Sequence, residues 1–256
     1  MFKRFRTFSF AALFGLVGPA VNAEEVLNHT NYQIALSGLP LANAFFQARK
    51  DGKTYAIDAQ IASTGIGGII SNAKAEMSSS GQVRNGTFDP QQFSFRYKYG
   101  RRARSFETHF EAGNVVSSVA EPKMKRRKNW IDVTPDDLKS VTDPIAGLVV
   151  PVKVDPCQSE IKIYDGESRL SLKLVRKRED QFKIKGFSGD AVVCSVRYEP
   201  KSGYRKGRSD VEYVRKLSNM EIWFAKSALL DVYAPVYLSV PTRYGTLTIT
   251  ATRFDG

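Results

Sequence analysis

Two histidines, two cysteines and one glycine-rich run are the residues of this chain whose types suit chemistry. A nucleophilic centre needs a serine or cysteine, a base within hydrogen-bond reach and a group that orients the base. His109 alternates with Thr108 and Phe110, which share a face with Phe106. That places His109 with Glu107 and Glu111 on a polar face, where a solvated imidazole is expected. His29 falls in what reads as a loose N-terminal tail. Two cysteines and two distant histidines give no metal-ligand spacing. Ser63-Thr64-Gly65-Ile66-Gly67-Gly68 has no lysine directly after it and opens no βαβ unit. It reads as flexible backbone between strands, not as a phosphate cradle. Asp136 and Asp137 read as helix-start charges, not paired catalytic carboxylates. Asn85-Gly86-Thr87 matches a glycosylation acceptor but is better explained as a hairpin turn. No catalytic, metal or cofactor-binding residue is designated, and the chain is expected not to be an enzyme.

The elements around these residues alternate with period two. Tyr55, Ile57, Ala59 and Ile61 alternate with Ala56, Asp58 and Gln60; Phe93, Phe95, Tyr97 and Tyr99 with Ser94, Arg96 and Lys98; Leu247, Ile249 and Ala251 with Thr248 and Thr250. Such segments are half-buried strands of an antiparallel sheet. Asp51-Gly52, Asn85-Gly86 and Asp165-Gly166 separate them, and Gly100-Arg101 and Gly113-Asn114 are further turns. Asn, Asp and Gly tolerate the positive φ of tight hairpins. Roughly a dozen strands in a meander follow at this spacing. One stretch breaks the pattern. Thr134 and Asp143 are N-cap candidates, each followed by a proline. This predicts short helices over Pro135–Ser140 and Pro144–Val150, an insert at about 134–150. Gly65–Ser71 reads as another short helix or irregular crossing. The expected fold is mainly β, an antiparallel meander curled into a large open or spiral barrel-like sheet. A barrel of that size is too wide for its own wall to fill, so the insert, a flattening of the sheet or a ligand must occupy it.

The N-terminus reads as a secretory signal peptide. Lys3, Arg4 and Arg6 precede an apolar run from Phe8 to Gly18, and Val21-Asn22-Ala23 has the form of a cleavage site. The run is too short to span a bilayer, which takes roughly 20 apolar residues. Cleavage after Ala23 is expected, leaving a single β-rich domain over 24–256, exported to the periplasm. In an oxidising compartment Cys157 and Cys194 are expected to pair, the competing arrangement being two buried thiols. Cys194 shares the apolar face of Val192 and Val196, so the bond should lie inside the sheet.

The formal charge is +12, and +9 without Lys3, Arg4 and Arg6. Outside the cytoplasm this charge favours anionic lipid, lipopolysaccharide or another envelope polyanion over nucleic acid. The alternative is that it only maintains solubility. The densest run, Lys123, Lys125, Arg126, Arg127 and Lys128 with Met124 between them, is the candidate for contact with an anionic surface. The competing reading is a solvated, exposed loop.

Several pieces in order carry a resemblance. They are Tyr32 with Gly38-Leu39-Pro40, Thr134-Pro135-x-Asp137-Leu138 with Asp143-Pro144, Pro156-Cys157 with Tyr164-Asp165-Gly166, Cys194-x-Val196-Arg197-Tyr198-x-Pro200, Met220-Glu221-Ile222-Trp223 and Ala251-Thr252-Arg253-Phe254. Together they resemble a family of exported Gram-negative proteins, domain of unknown function 3108. The resemblance implies a periplasmic location and a β-rich fold, and it supplies no catalytic residue. In outline the fold is similar to other periplasmic curled barrels, including envelope-integrity proteins and lipoprotein carriers. The expected function is support of the cell envelope, with a lipid or hydrophobic ligand inside the curled sheet. The alternative is a scaffold module with a filled core that binds another envelope protein.

Overall fold

The computed structural model describes residues 25–65, 67–68, 72–123, 126, 128–157 and 159–256. The predicted signal peptide and most of the crossing predicted at 65–71 lie outside them. The chain forms β1 (Val26–Leu36), β2 (Leu39–Asp51), β3 (Thr54–Ser63), β4 (Lys74–Arg84), β5 (Thr87–Tyr99), β6 (Arg102–Glu111) and β7 (Asn114–Glu121) as one meander. After the insert come β10 (Ser159–Tyr164), β11 (Arg169–Ile184), β12 (Phe187–Ser202), β14 (Met220–Ser227), β15 (Val232–Thr242) and β16 (Gly245–Phe254). Short pieces are β8 (Trp130–Ile131), β9 (Val150–Pro151), β13 (Tyr204–Arg205) and helix α1 (Ser209–Arg215).

The long strands lie in the order β10-β11-β12-β14-β15-β16-β1-β2-β3-β4-β5-β6-β7, so the last strand pairs with the first. Every one of these pairings is antiparallel, as alternation with short turns requires. Asn85 and Gly86 both have positive φ, 53° and 82°, the conformation of a type I′ hairpin. Because neighbours run in opposite directions, the turns at 37–38, 100–101 and 243–244 fall at one end of the sheet, here the upper end. Those at 52–53, 85–86 and 185–186 fall at the lower end.

The sheet curls but does not close by a ladder. Its two edge strands, β7 and β10, meet across a seam held by side chains and a short strap. Arg104 makes two hydrogen bonds to Glu167, both 3.1 Å, and its guanidinium lies 4.7 Å over the Phe106 ring. Tyr164 donates to Ser118 Oγ at 3.2 Å, and Ser118 donates to the Gly166 carbonyl at 3.1 Å. The strap is the segment 140–142. Val141 N–H donates to the Gly113 carbonyl at 2.8 Å on one side, and Thr142 exchanges bonds of 2.9 Å with Lys162 and Tyr164 on the other. Gly166 needs its missing side chain here, since φ is +95° and a Cβ would stand 2.7 Å from Phe106. Gly166→Ala is expected to lower stability by about 2 kcal/mol through backbone strain and this contact. The shift of the urea midpoint measures it.

The insert is less helical than its sequence predicts. Two 3-10 turns, Pro135–Leu138 and Ala146–Leu148, replace the expected helices. Thr134 and Asp137 do form a reciprocal capping box, but Ser140 at φ +53° ends that turn early. Gly147 and Pro151 limit the second, and Val150 joins β9 instead. His29 is also not in a loose tail. It belongs to β1, with its N–H on the Asp255 carboxylate at 2.9 Å. His109 lies on the exposed face beside Glu107, as alternation predicts.

Candidate functional site: an apolar cavity beneath the insert

Buried residues of the curled sheet form three clusters, the second and third on opposite faces of β12 and β14. One joins β2, β3, β5 and β6 to Val141, Ile145 and Ala146 of the insert. A second surrounds Cys157 and Cys194. The third lies where β16 meets β12 and β15. Between the insert and the wall the side chains do not fill the interior. A cavity of about 280 Å³ remains, walled by Ala44, Ala48, Ile57, Met77, Val232 and Leu238 among others, with Ile145 and Leu148 of the insert as its cover. The space arises from small residues at inward positions of the alternation. Ala44 and Ala48 on β2 and Ala234 on β15 stand where the wall elsewhere carries Phe or Ile.

The cavity is closed below. Asn28, Thr30, Leu230 and Val232 are buried. Asn28 donates to Ser227 Oγ at 3.1 Å and also to the Asp255 carbonyl, and Lys50 Nζ caps the Leu230 carbonyl at 3.0 Å. Toward the upper end Ile34, Ile61, Leu238 and Ile249 are only half-buried. Ile34, Ile249 and Leu238 lie in one cross-strand row. Above Ile61 the inner face continues as an apolar recess of about 330 Å³ formed by Ala42, Ala73, Ala75 and Tyr97. Ile61 lines both spaces, so the cavity adjoins this recess on its upper side.

Polar groups at its margin are occupied by the protein itself. Tyr32 donates to the Pro235 carbonyl at 2.6 Å, and burial drives its phenol far above its ordinary pKa. Asp143 is fully buried. Its Oδ1 accepts from Ile145 N–H at 2.7 Å and Ala146 N–H at 2.9 Å, and its Oδ2 accepts from Ser79 at 2.7 Å. Ser79 is in turn 3.0 Å from the Tyr55 hydroxyl, whose ring stacks on Phe88 at 4.4 Å. Desolvation raises the Asp143 carboxyl to about 6, opposed by these hydrogen bonds. The trio ties the insert to β3 and β4 and so fixes the cover of the cavity. Among the described residues no group of three or more His, Cys, Asp or Glu is arranged for a metal.

Cys157 and Cys194 form a disulfide of 2.05 Å, both fully buried, and it joins the stretch after the insert to the centre of β12. Of the basic run, Lys123, Arg126 and Lys128 are described, and Lys125 and Arg127 lie outside the described residues. Arg126 pairs with Asp132 at 2.8 Å. Lys123 borders an open groove of β4 to β7 that shares Ala75 and Tyr97 with the apolar recess above Ile61. Sequence reading missed the Tyr55–Ser79–Asp143 relay, although Asp143-Pro144 marked the turn it caps. It also missed helix α1, whose Val214 packs on the second cluster together with Leu217. No helix among the described residues is long and apolar enough to cross a membrane.

This is a barrel-like, mainly antiparallel protein with an apolar interior cavity. The chain belongs to the family described as "Protein of unknown function (DUF3108)", whose model matches residues 31–252. Its fold is similar to the crystal structure of a beta-barrel-like protein of domain of unknown function DUF1849 from Brucella abortus. The TM-score is 0.52 at 9% identity, covering 90% of this chain and 97% of that one. No curated protein matches the sequence.

Proposed function

We propose that this protein is a non-enzymatic periplasmic protein that holds an apolar ligand inside its curled sheet, in support of the cell envelope. The observation that carries the reading is the cavity of about 280 Å³ with an almost wholly apolar wall. Protein interiors are close-packed, and empty volume destabilises in proportion to its size. An engineered apolar cavity of about 150 Å³ stays dry and takes up benzene. On that scale this one suits an apolar segment on the order of ten carbons. An acyl chain is the envelope ligand of that shape.

Organic extraction and native mass spectrometry of protein recovered from cells expressing the full chain test the proposal. An acyl-bearing adduct is expected. Ala44→Phe places a ring in the cavity and is expected to reduce both the adduct and the uptake of an apolar fluorescent dye by at least tenfold. Ala234→Leu makes a smaller change at the opposite wall and is expected to reduce them less. Protein that is empty on extraction, together with dye uptake untouched by both variants, would rule the reading out. A deletion strain with unchanged sensitivity to detergent would remove the envelope-support part alone.

A further inference from the structure

The upper rim differs in chemistry from the rest of the molecule. Three large apolar side chains project from its turns: Tyr244 is 85% exposed, Leu39 55% and Tyr99 51%. The turns bearing Leu39 and Tyr244 lie side by side, since Ser37 N–H donates to the Thr246 carbonyl at 2.8 Å. Tyr99 stands on the β5–β6 turn, further round the same rim. Cations flank each position. Lys98, Arg101 and Arg102 surround Tyr99, and Arg243 precedes Tyr244. All four are exposed, and none of them makes an ion pair among the described residues. The acids nearby are taken. Asp210 pairs with Arg208 at 2.7 Å and Glu212 with Arg215 at 2.9 Å. The lower end also exposes Leu27 and Leu229. Its turns, however, mix Asp51, Asp231 and Asp255 with Lys53, Lys183 and Lys185.

Arg243 donates to the Ser209 carbonyl at 3.4 Å and lies 5.3 Å over the Tyr213 ring, so its charge is held at the rim without an acid. Exposed aromatic and aliphatic tips ringed by cations that no acid neutralises match the interfacial zone of an anionic bilayer. There amphipathic rings sit at headgroup level and each nearby Lys or Arg adds favourable energy. The apolar recess at Ile61 opens at this same end. We infer that the upper rim docks on an anionic lipid bilayer, with Leu39, Tyr99 and Tyr244 entering the headgroup layer, so that the mouth of the cavity faces lipid. The docking stands on the rim and not on a bound ligand, and it gives the proposed acyl ligand its route of entry.

Co-sedimentation with vesicles of phosphatidylcholine, with and without phosphatidylglycerol, tests this, using protein recovered from cells expressing the full chain. Binding is expected to vesicles containing phosphatidylglycerol and to fall steeply with salt. The variant Arg101→Glu/Arg102→Glu/Arg243→Glu is expected to lower partitioning by about 100-fold. Leu39→Ser/Tyr244→Ser is expected to lower it about tenfold with the charges intact. Lys53→Glu/Lys183→Glu/Lys185→Glu, at the lower end, is expected to stay within about twofold. Equal losses from the two charge-reversal variants, or binding to heparin without binding to vesicles, would overturn the inference. Vesicle binding by protein whose extracts are empty and whose dye uptake both cavity variants leave untouched would leave the docking standing and remove the ligand reading.

Discussion

Asp143→Ala is expected to lower the unfolding free energy by about 3–5 kcal/mol, as loss of one member of a buried polar network does. The carboxylate serves three donors at once, two backbone N–H groups of the insert and the Ser79 hydroxyl. Alanine leaves all three inside an apolar core, each costing about 1–3 kcal/mol less whatever relaxation recovers. Asp143→Asn is expected to cost far less, since its carbonyl still accepts the backbone bonds and its amide can donate to Ser79 Oγ. The pair also separates charge from geometry. The folded-state pKa of about 6 is above the ordinary carboxylate value, because desolvation disfavours the anion. The native state therefore binds this proton more tightly than the unfolded chain does. The associated stability is fully present below about pH 4 and is lost as pH rises through 6, amounting to about 3 kcal/mol. Urea unfolding from pH 4 to 8 should show that decline in the parent relative to Asp143→Asn. Parallel curves would show that Asp143 does not titrate in this range.

Cys157→Ala/Cys194→Ala is expected to cost about 4 kcal/mol. The bond spans a sequence separation of 37, and its loss frees that loop in the unfolded chain. Alanine is the informative replacement, because serine would bury an unpaired hydroxyl at two fully enclosed positions. The parent treated with reductant under denaturing conditions and refolded should match the double variant. A drop confined to β10 in hydrogen exchange, with global stability unchanged, would show that the bond acts only locally.

Much of this fold was legible because alternation and turn chemistry point the same way. Asn85-Gly86 specified its hairpin through φ alone, and alternation with Val192 and Val196 put Cys194 on an apolar face. The closing pair β16–β1 was not legible, since nothing local in Thr30–Leu36 or Leu247–Phe254 states that they are partners. The insert was read as helical because its caps are real, but a cap specifies where a turn starts and not how far it runs. The cavity escaped notice for a different reason. Ala44 and Ala48 obey the same alternation as Ile57 and Ile61, and period two reports which face is inward without reporting whether that face is full. The relay was hidden because Ser79 and Asp143 are 64 residues apart and only the fold brings them together.

The seam between β7 and β10 has a mechanical consequence. A ladder that closes on itself fixes strand number and stagger, and with them the bore. Here the loop is fastened by a buckle: the Arg104–Glu167 pair, the Tyr164–Ser118–Gly166 bonds and the strap at 140–142. The strap continues directly into Asp143, which anchors the insert, and Ile145, which covers the cavity. Girth and cover are thus set by one short segment, and slackening it would widen the hoop and lift its lining in a single movement.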